Sequence, residues 1–260
     1  MRRFNLNSGS LLAVKLGFAA LLAAGSLNAA PVSYDFTTGG VNSNPGVSGN
    51  TVSFLDSTLS HTVQLTSWFA PVNGSLTTAT GFVTGAPNVQ GFGVCNSTEG
   101  TFATCTTGGG NAPVRGLDNA GGQDWVLVLF SQQVNLSTFS IFPDVGNSPR
   151  DQGRDVTYFT GNLSAATDLQ SRNYAYLTGT LGMTQRNVDF ARGQTGVTVD
   201  ITAQNGNTEV WGNAILIGAS LTSGADRFFL GGMTAVVPVP PAIFLFASAL
   251  ALLFGRRRLI

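Results

Sequence analysis

The sequence predicts an all-β protein: one antiparallel β-sandwich, jelly-roll-like, between a hydrophobic segment at each end. Three observations carry this. Residues 61–68 (HTVQLTSW) and 134–142 (VNLSTFSIF) alternate apolar and polar with period two, the pattern of strands with one buried face. Clusters of Gly, Asn, Pro and Ser, such as residues 39–46 and 106–111, punctuate the short apolar runs. The 260 residues are 43% hydrophobic and only 10% charged, with 33 glycines, against a usual charged share of about 25%. Solubility therefore rests on hydroxyl and amide groups, which also supply turns and strand faces.

The elements follow in chain order. Residues 1–29 read as a secretory signal: Arg2, Arg3 and Lys15 lead, residues 16–27 (LGFAALLAAGSL) are apolar and small, and residues 28–30 (NAA) offer small residues for cleavage after Ala29. The apolar run is short of the ~20 residues that span a bilayer. A body of residues 30–234 follows. Residues 124–130 (DWVLVLF) are a near-continuous apolar run, fitting a buried central strand. Residues 155–160, 197–201, 214–220 and 227–230 are further strand candidates, and residues 163–172 are the one stretch that suits a short helix. No linker and no fixed-period repeat divides the body. Residues 235–260 form the last segment. Val237-Pro238-Val239-Pro240-Pro241 leads into 13 apolar residues, 242–254 (AIFLFASALALLF), and then Arg256, Arg257 and Arg258. With the proline stretch this reaches about one membrane span. The arginines belong on the cytoplasmic side, so the body lies outside, as the N-terminal signal also requires.

The formal net charge of zero conceals a segregation. Between Ala30 and Pro240 seven arginines face thirteen acids, leaving −6 and no lysine. A net-acidic body without a basic stripe argues against nucleic-acid binding, which needs Lys and Arg against phosphates.

The proline motif, short apolar helix and arginine cluster together resemble the PEP-CTERM sorting signal of Gram-negative bacteria, in its VPLPA-like variant. Within the body, residues 91–96 (GFGVCN), 116–125 (GLDNAGGQDW), 134–136 (VNL) and 211–219 (WGNAILIGA) are similar to motifs of exosortase-dependent surface proteins. The resemblance implies exosortase as a partner, inner-membrane anchoring before processing, and a final place at the cell surface or in the extracellular matrix with exopolysaccharide. The chain departs from the pattern after residue 142, where Asp144, Asp151 and Asp155 are spread through a Gly/Arg loop instead of forming a compact Asp-Ser-Asp.

No residue is singled out as catalytic. His61 is the lone histidine, on an alternating strand, and reads as a surface or packing residue. There is no Gly-x-Ser-x-Gly elbow and no His-Glu-x-x-His, and a carboxylate pair for glycoside hydrolysis is not flagged by spacing. Cys95 and Cys105 enclose a nine-residue Gly/Thr-rich loop and are expected to form a disulfide in an oxidising compartment. Asp118, Asn119 and Asp124 bracket a Gly-Gly turn. They are either a Ca²⁺ set, joined by Asp35 or Asp226 if the fold brings those near, or ordinary turn residues bonding their own backbone. No other cofactor is implied. Tyr174 and Tyr176, in a polar stretch, either stack on sugar rings or pack as core, whereas Trp68, Trp125 and Trp211 read as core. The expected role is a non-enzymatic carbohydrate-binding or structural surface protein; the alternative is a secreted carbohydrate-active enzyme on the same scaffold.

Overall fold

Alternation along one strand and continuous apolarity along another organise this chain around a single spine. The computed structural model describes residues 31–238 apart from short stretches, of which 108–115 and 144–154 are the longest. The expected signal segment, through residue 28, and the tail from residue 239 lie outside the described residues. The strands are β1 (Pro31–Asp35), β2 (Val41–Asn42), β3 (Thr51–Leu55), β4 (Thr62–Pro71), β5 (Thr77–Thr78), β6 (Thr80–Ala86), β7 (Val89–Cys95), β8 (Leu117–Asp118), β9 (Gly122–Pro143), β10 (Val156–Gly161), β11 (Thr184–Val188), β12 (Val197–Asp200), β13 (Trp211–Ala219) and β14 (Arg227–Val236). Three short helices interrupt them: α1 (Phe102–Thr107), α2 (Tyr174–Gly179) and α3 (Ile201–Gln204). Every strand pairing described is antiparallel, and the fold is an all-β sandwich.

The spine is β9. Its first half pairs with β4 on one side, Val63↔Phe130 through Pro71↔Gly122, and with β13 on the other. Its second half pairs with β14, Phe228↔Pro143 through Val236↔Asn135, and with β12. Residues 124–130 and 134–142, expected as two strands, are thus one strand of 22 residues. The intervening Ser131, Gln132 and Gln133 are polar and exposed but contain no Gly or Pro to turn the chain, so they remain extended as β9 passes from one set of partners to the next.

One core lies between the faces. It takes Val63, Leu65 and Phe69 from β4, Val126, Val128 and Phe130 from β9, Ile215 and Ile217 from β13, and Phe228, Leu230 and Met233 from β14. The opposite faces of β9, β10 and β13 are largely covered as well. Trp125, Leu127, Phe159, Ala214 and Leu216 form a second cluster, covered by Leu163, Leu169, Leu177 and Met183. Two covered faces explain why residues 124–130 show no alternation. Gly218 belongs to this arrangement. It pairs with Trp125, and a Cβ there would lie 2.5 Å from the indole ring.

The covering segment corrects the helix expectation. Residues 163–172 are turns, not a helix. Asp168 accepts from the Gln170 amide, and Thr167 accepts from the Ser164 amide, so both side chains stabilise local turns in place of helical bonds. The helix starts later, at Tyr174, where the Asn173 side chain caps the Tyr176 amide. Strands β1, β3, β6 and β7 were not among the expected ones. β1 pairs with the far end of β14, Pro31↔Val236, so both ends of the compact unit Pro31–Val237 are adjacent. No helix among the described residues is long and apolar enough to cross a membrane.

Candidate functional site

Alternation on β4 sends Val63 and Leu65 to the core and turns Thr62, Gln64, Thr66 and Trp68 to the outer face. Their cross-strand neighbours on that face are Thr51 of β3 and Leu127 and Leu129 of β9. The covering segment packs over Trp68 and Leu127 but leaves Thr62 and Gln64 exposed, and its edge forms a wall. The result is a groove in two lobes that share Gln64, Leu129 and Ala165. The wider lobe, about 350 Å³, is lined also by Thr62, Ser131 and Asn213. The narrower, about 170 Å³, reaches Thr51, Thr66, Trp68, Leu163 and Thr167. This size is at the low end of small-molecule sites, roughly 300–1,000 Å³.

Asn213 sets the wall. The β13 register shifts between Gly212 and Ala214, leaving Asn213 at a bulge. Its Oδ1 accepts from the Leu163 amide at 2.7 Å and its Nδ2 donates to the Leu163 carbonyl at 2.7 Å. A bulge re-aims a side chain out of the ladder, and here that side chain pins the loop. At the narrow end Trp68 is 8% exposed, and its buried Nε1–H has no hydrogen-bond partner among the described residues. A buried donor without an acceptor costs about 1–3 kcal/mol. The lining combines hydroxyls, amides, leucines and an indole, and none of its residues is charged.

The residues singled out from sequence take other places. Cys95 and Cys105 form the expected disulfide, with Cα atoms 5.8 Å apart, packed against Phe82, Phe229 and Phe102. Asp118 and Asp124 converge, and Glu99 joins them with carboxylate atoms within 4.8 Å of one another. Asp124 is fully buried; it accepts from Asn96 Nδ2 at 2.9 Å and from the Asp118 amide at 3.3 Å. Burial first, and then the Asp118 and Glu99 charges, raise its pKa well above the usual carboxylate value. The Arg227 guanidinium lies 3.3 Å from Asp118 Oδ2 and supplies positive charge there. These three carboxylates are the donor set a cation would use. Asn119 turns elsewhere: its Oδ1 accepts from the Asp226 amide and its Nδ2 donates to the Asp226 carboxylate. Asp35 bonds Thr37 and Thr38 of its own turn. Glu99 had no sequence signal, because a turn after β7 brings it beside a turn before β9.

Tyr174 is half-buried between Trp125 and Phe159, its ring stacked on Phe159 with centroids 6.1 Å apart. Its hydroxyl accepts from Trp125 Nε1 at 3.1 Å and donates to Gln123 Oε1 at 2.6 Å, and burial pushes its pKa up to about 12. Tyr176 carries the Arg172 guanidinium over its ring at 4.5 Å. Trp68 and Trp125 are buried as expected, but Trp211 is 43% exposed. It opens β13 beyond the covering segment and donates to Glu209 at 3.0 Å. His61 Nδ1 lies 2.8 Å from Asp56 Oδ2. Burial opposes charge on Asp56, yet the Ser60 amide, the His61 ring and the Thr58 hydroxyl donate to it and hold its pKa at about 2. Val237 is buried and Pro238 exposed; Val239, Pro240, Pro241, Arg256, Arg257 and Arg258 lie outside the described residues.

No family model matches the chain, and no curated protein matches it. Among solved structures, a rhamnosidase from Klebsiella oxytoca with rhamnose bound aligns at 12% identity with a TM-score of 0.26. The alignment covers 66% of this chain and 29% of that one, so the chain spans less than a third of its length. A likeness this distant carries no functional weight.

Proposed function

We propose that this chain is an exported surface or matrix protein whose sandwich is a non-enzymatic glycan-binding module. The observation that carries the binding half is the outer-face groove. It offers hydroxyl and amide partners beside leucines and the Trp68 ring. A sugar presents that combination: hydroxyl oxygens around an apolar ring face. The enzymatic alternative needs two carboxylates facing one cleft. The carboxylates that converge here, Glu99, Asp118 and Asp124, do not line the groove, and Asp124 is fully buried.

The export and sorting half rests on the sequence at the two ends. In this reading exosortase recognises Val237-Pro238-Val239-Pro240-Pro241 while the apolar segment and Arg256, Arg257 and Arg258 hold the chain in the inner membrane. The processed protein then associates with exopolysaccharide. Replacing Pro238, Pro240 and Pro241 by Ala leaves insertion intact and makes the full-length form accumulate, since proline keeps the chain extended where a protease would read it. Equal mature size in hosts with and without exosortase would refute the sorting half.

The binding half is tested by titrating the full chain with the producing bacterium's own exopolysaccharide and following tryptophan fluorescence and heat. Thr66→Ala, which removes a hydroxyl from the lining of the narrow lobe, weakens binding by about tenfold, the equivalent of about 1.4 kcal/mol. Gln64→Ala, at an exposed strand position that does not threaten folding, weakens it too. Unchanged affinity in both variants, or no binding by the parent protein, overturns the reading.

A further inference from the structure

The groove is not closed on all sides, and what lies beyond its open end defines the ligand further. Directly paired residues of antiparallel strands point to the same face. Leu129 pairs with Gln64, Gln64 with Ser53, and Ser53 with Val41. The groove floor therefore continues as one cross-strand row through β9, β4, β3 and β2. A second row, Thr62 and Leu55, runs beside it. Val41 and Leu55 are large hydrophobics exposed at 72% and 52%, and they stand on this same face. None of the strand residues in these rows is charged.

We propose that this face binds a neutral, unbranched oligosaccharide segment of about three sugar residues that crosses the strands from Leu129 on the groove floor to Val41. The inference rests on the glycan-binding reading and adds the charge class, the length and the direction of the ligand. Charge excludes the acidic alternatives: a uronate or sulfated chain would find no Lys or Arg in the rows to replace the water it loses. Strand spacing of about 4.8 Å, close to the length of one sugar ring, makes the three steps from β9 to β2 a path for about three residues. Along that path the polar Gln64, Ser53 and Thr62 sit among the apolar Leu129, Leu55 and Val41, so both the hydroxyls and the ring face of a pyranose find partners. Leu129, half-buried beside Ala165 of the covering segment, marks the deep end.

The test uses the full chain and the host's exopolysaccharide, partly hydrolysed, separated by charge into neutral and acidic pools and then by length. Neutral fractions bind, with affinity rising from one residue to three and levelling thereafter. Leu55→Asp and Val41→Asp lower trisaccharide affinity by roughly tenfold while monosaccharide, which fills only the deep end, binds parent and variants within about twofold. Both positions are exposed, so folding is not at stake, and circular dichroism checks it. If monosaccharide binds as tightly as trisaccharide, or if the acidic pool binds better, this inference fails while the groove still binds glycan. If no fraction of either pool binds, the glycan reading itself fails. Loss of a dimer in Leu55→Asp, with oligosaccharide affinity unchanged, would show that the face meets a second copy of this chain and would also overturn the inference.

Discussion

Removing the Asn213 side chain tests the link between a bulge in β13 and the wall of the groove. In Asn213→Ala the Leu163 amide and carbonyl lose both of their 2.7 Å partners. Each such bond contributes about 1 kcal/mol net, and each buried group left unsatisfied costs about 1–3 kcal/mol. Leu163 is 5% exposed, which places the expected loss at about 2–4 kcal/mol. For a domain of this size that lowers Tm by roughly 5–15 °C. Asn213→Asp separates the two bonds. It retains an acceptor for the Leu163 amide but sets a carboxylate against the Leu163 carbonyl. It should be at least as destabilising as Ala at pH 7 and recover as pH falls below about 4, where the acid regains a donor. Urea unfolding followed by fluorescence gives the stability, and glycan titration gives the affinity. The wall moves with Leu163, so affinity falls in the same order as stability. A variant within about 0.5 kcal/mol of the parent would refute the clamp, because only surface changes are that mild.

Tyr174→Phe removes the acceptor of the Trp125 Nε1–H and should cost about 1–3 kcal/mol with glycan affinity unchanged; lost affinity at full stability would instead make Tyr174 a ligand contact. Replacing Cys95 and Cys105 by Ser lowers stability by about 2–3 kcal/mol, seen in thermal melts with and without reductant, and leaves the fold intact because the main core is separate. Two carboxylates act oppositely with pH. Asp56, held at about 2 against 3.8, stabilises the fold above pH 4, and that contribution is lost as pH falls through about 2, so Asp56→Asn flattens the acid limb of the unfolding curve. Asp124, raised, holds its proton more tightly folded than unfolded, so it lowers stability as pH climbs above 3.8. Asp124→Asn should gain on the parent between pH 4 and 7, and parallel pH profiles for the two proteins would refute this.

Local periodicity carries part of the strand content of this protein and, where it alternates, the inward or outward sense of each residue. The alternation in residues 61–68 already separates Val63 and Leu65 from Gln64 and Thr66, because a pleated strand turns successive side chains to opposite faces. The cysteine count and the expectation of export likewise led to the Cys95–Cys105 bond. What lies opposite each face was not legible. The unbroken apolar run at residues 124–130 implies cover on both sides, but nothing in it names Leu163, Leu169 and Leu177 as the outer cover. Residues 163–172 read as helical for lack of local contradiction, yet Leu163 is held by Asn213, fifty positions away. The groove lies where Leu163, Ala165 and Thr167 of that cover meet Gln64, Leu129 and Trp68 of the sheet. Glu99 meets Asp118 and Asp124 only through tertiary packing, and Trp211, expected in the core, stands exposed at the start of β13. Sequence determines what each strand offers to either side through short-range sterics and hydrophobic pattern. Only tertiary packing, through contacts among residues far apart in the chain, decides which of those offers are buried and which remain open to a ligand.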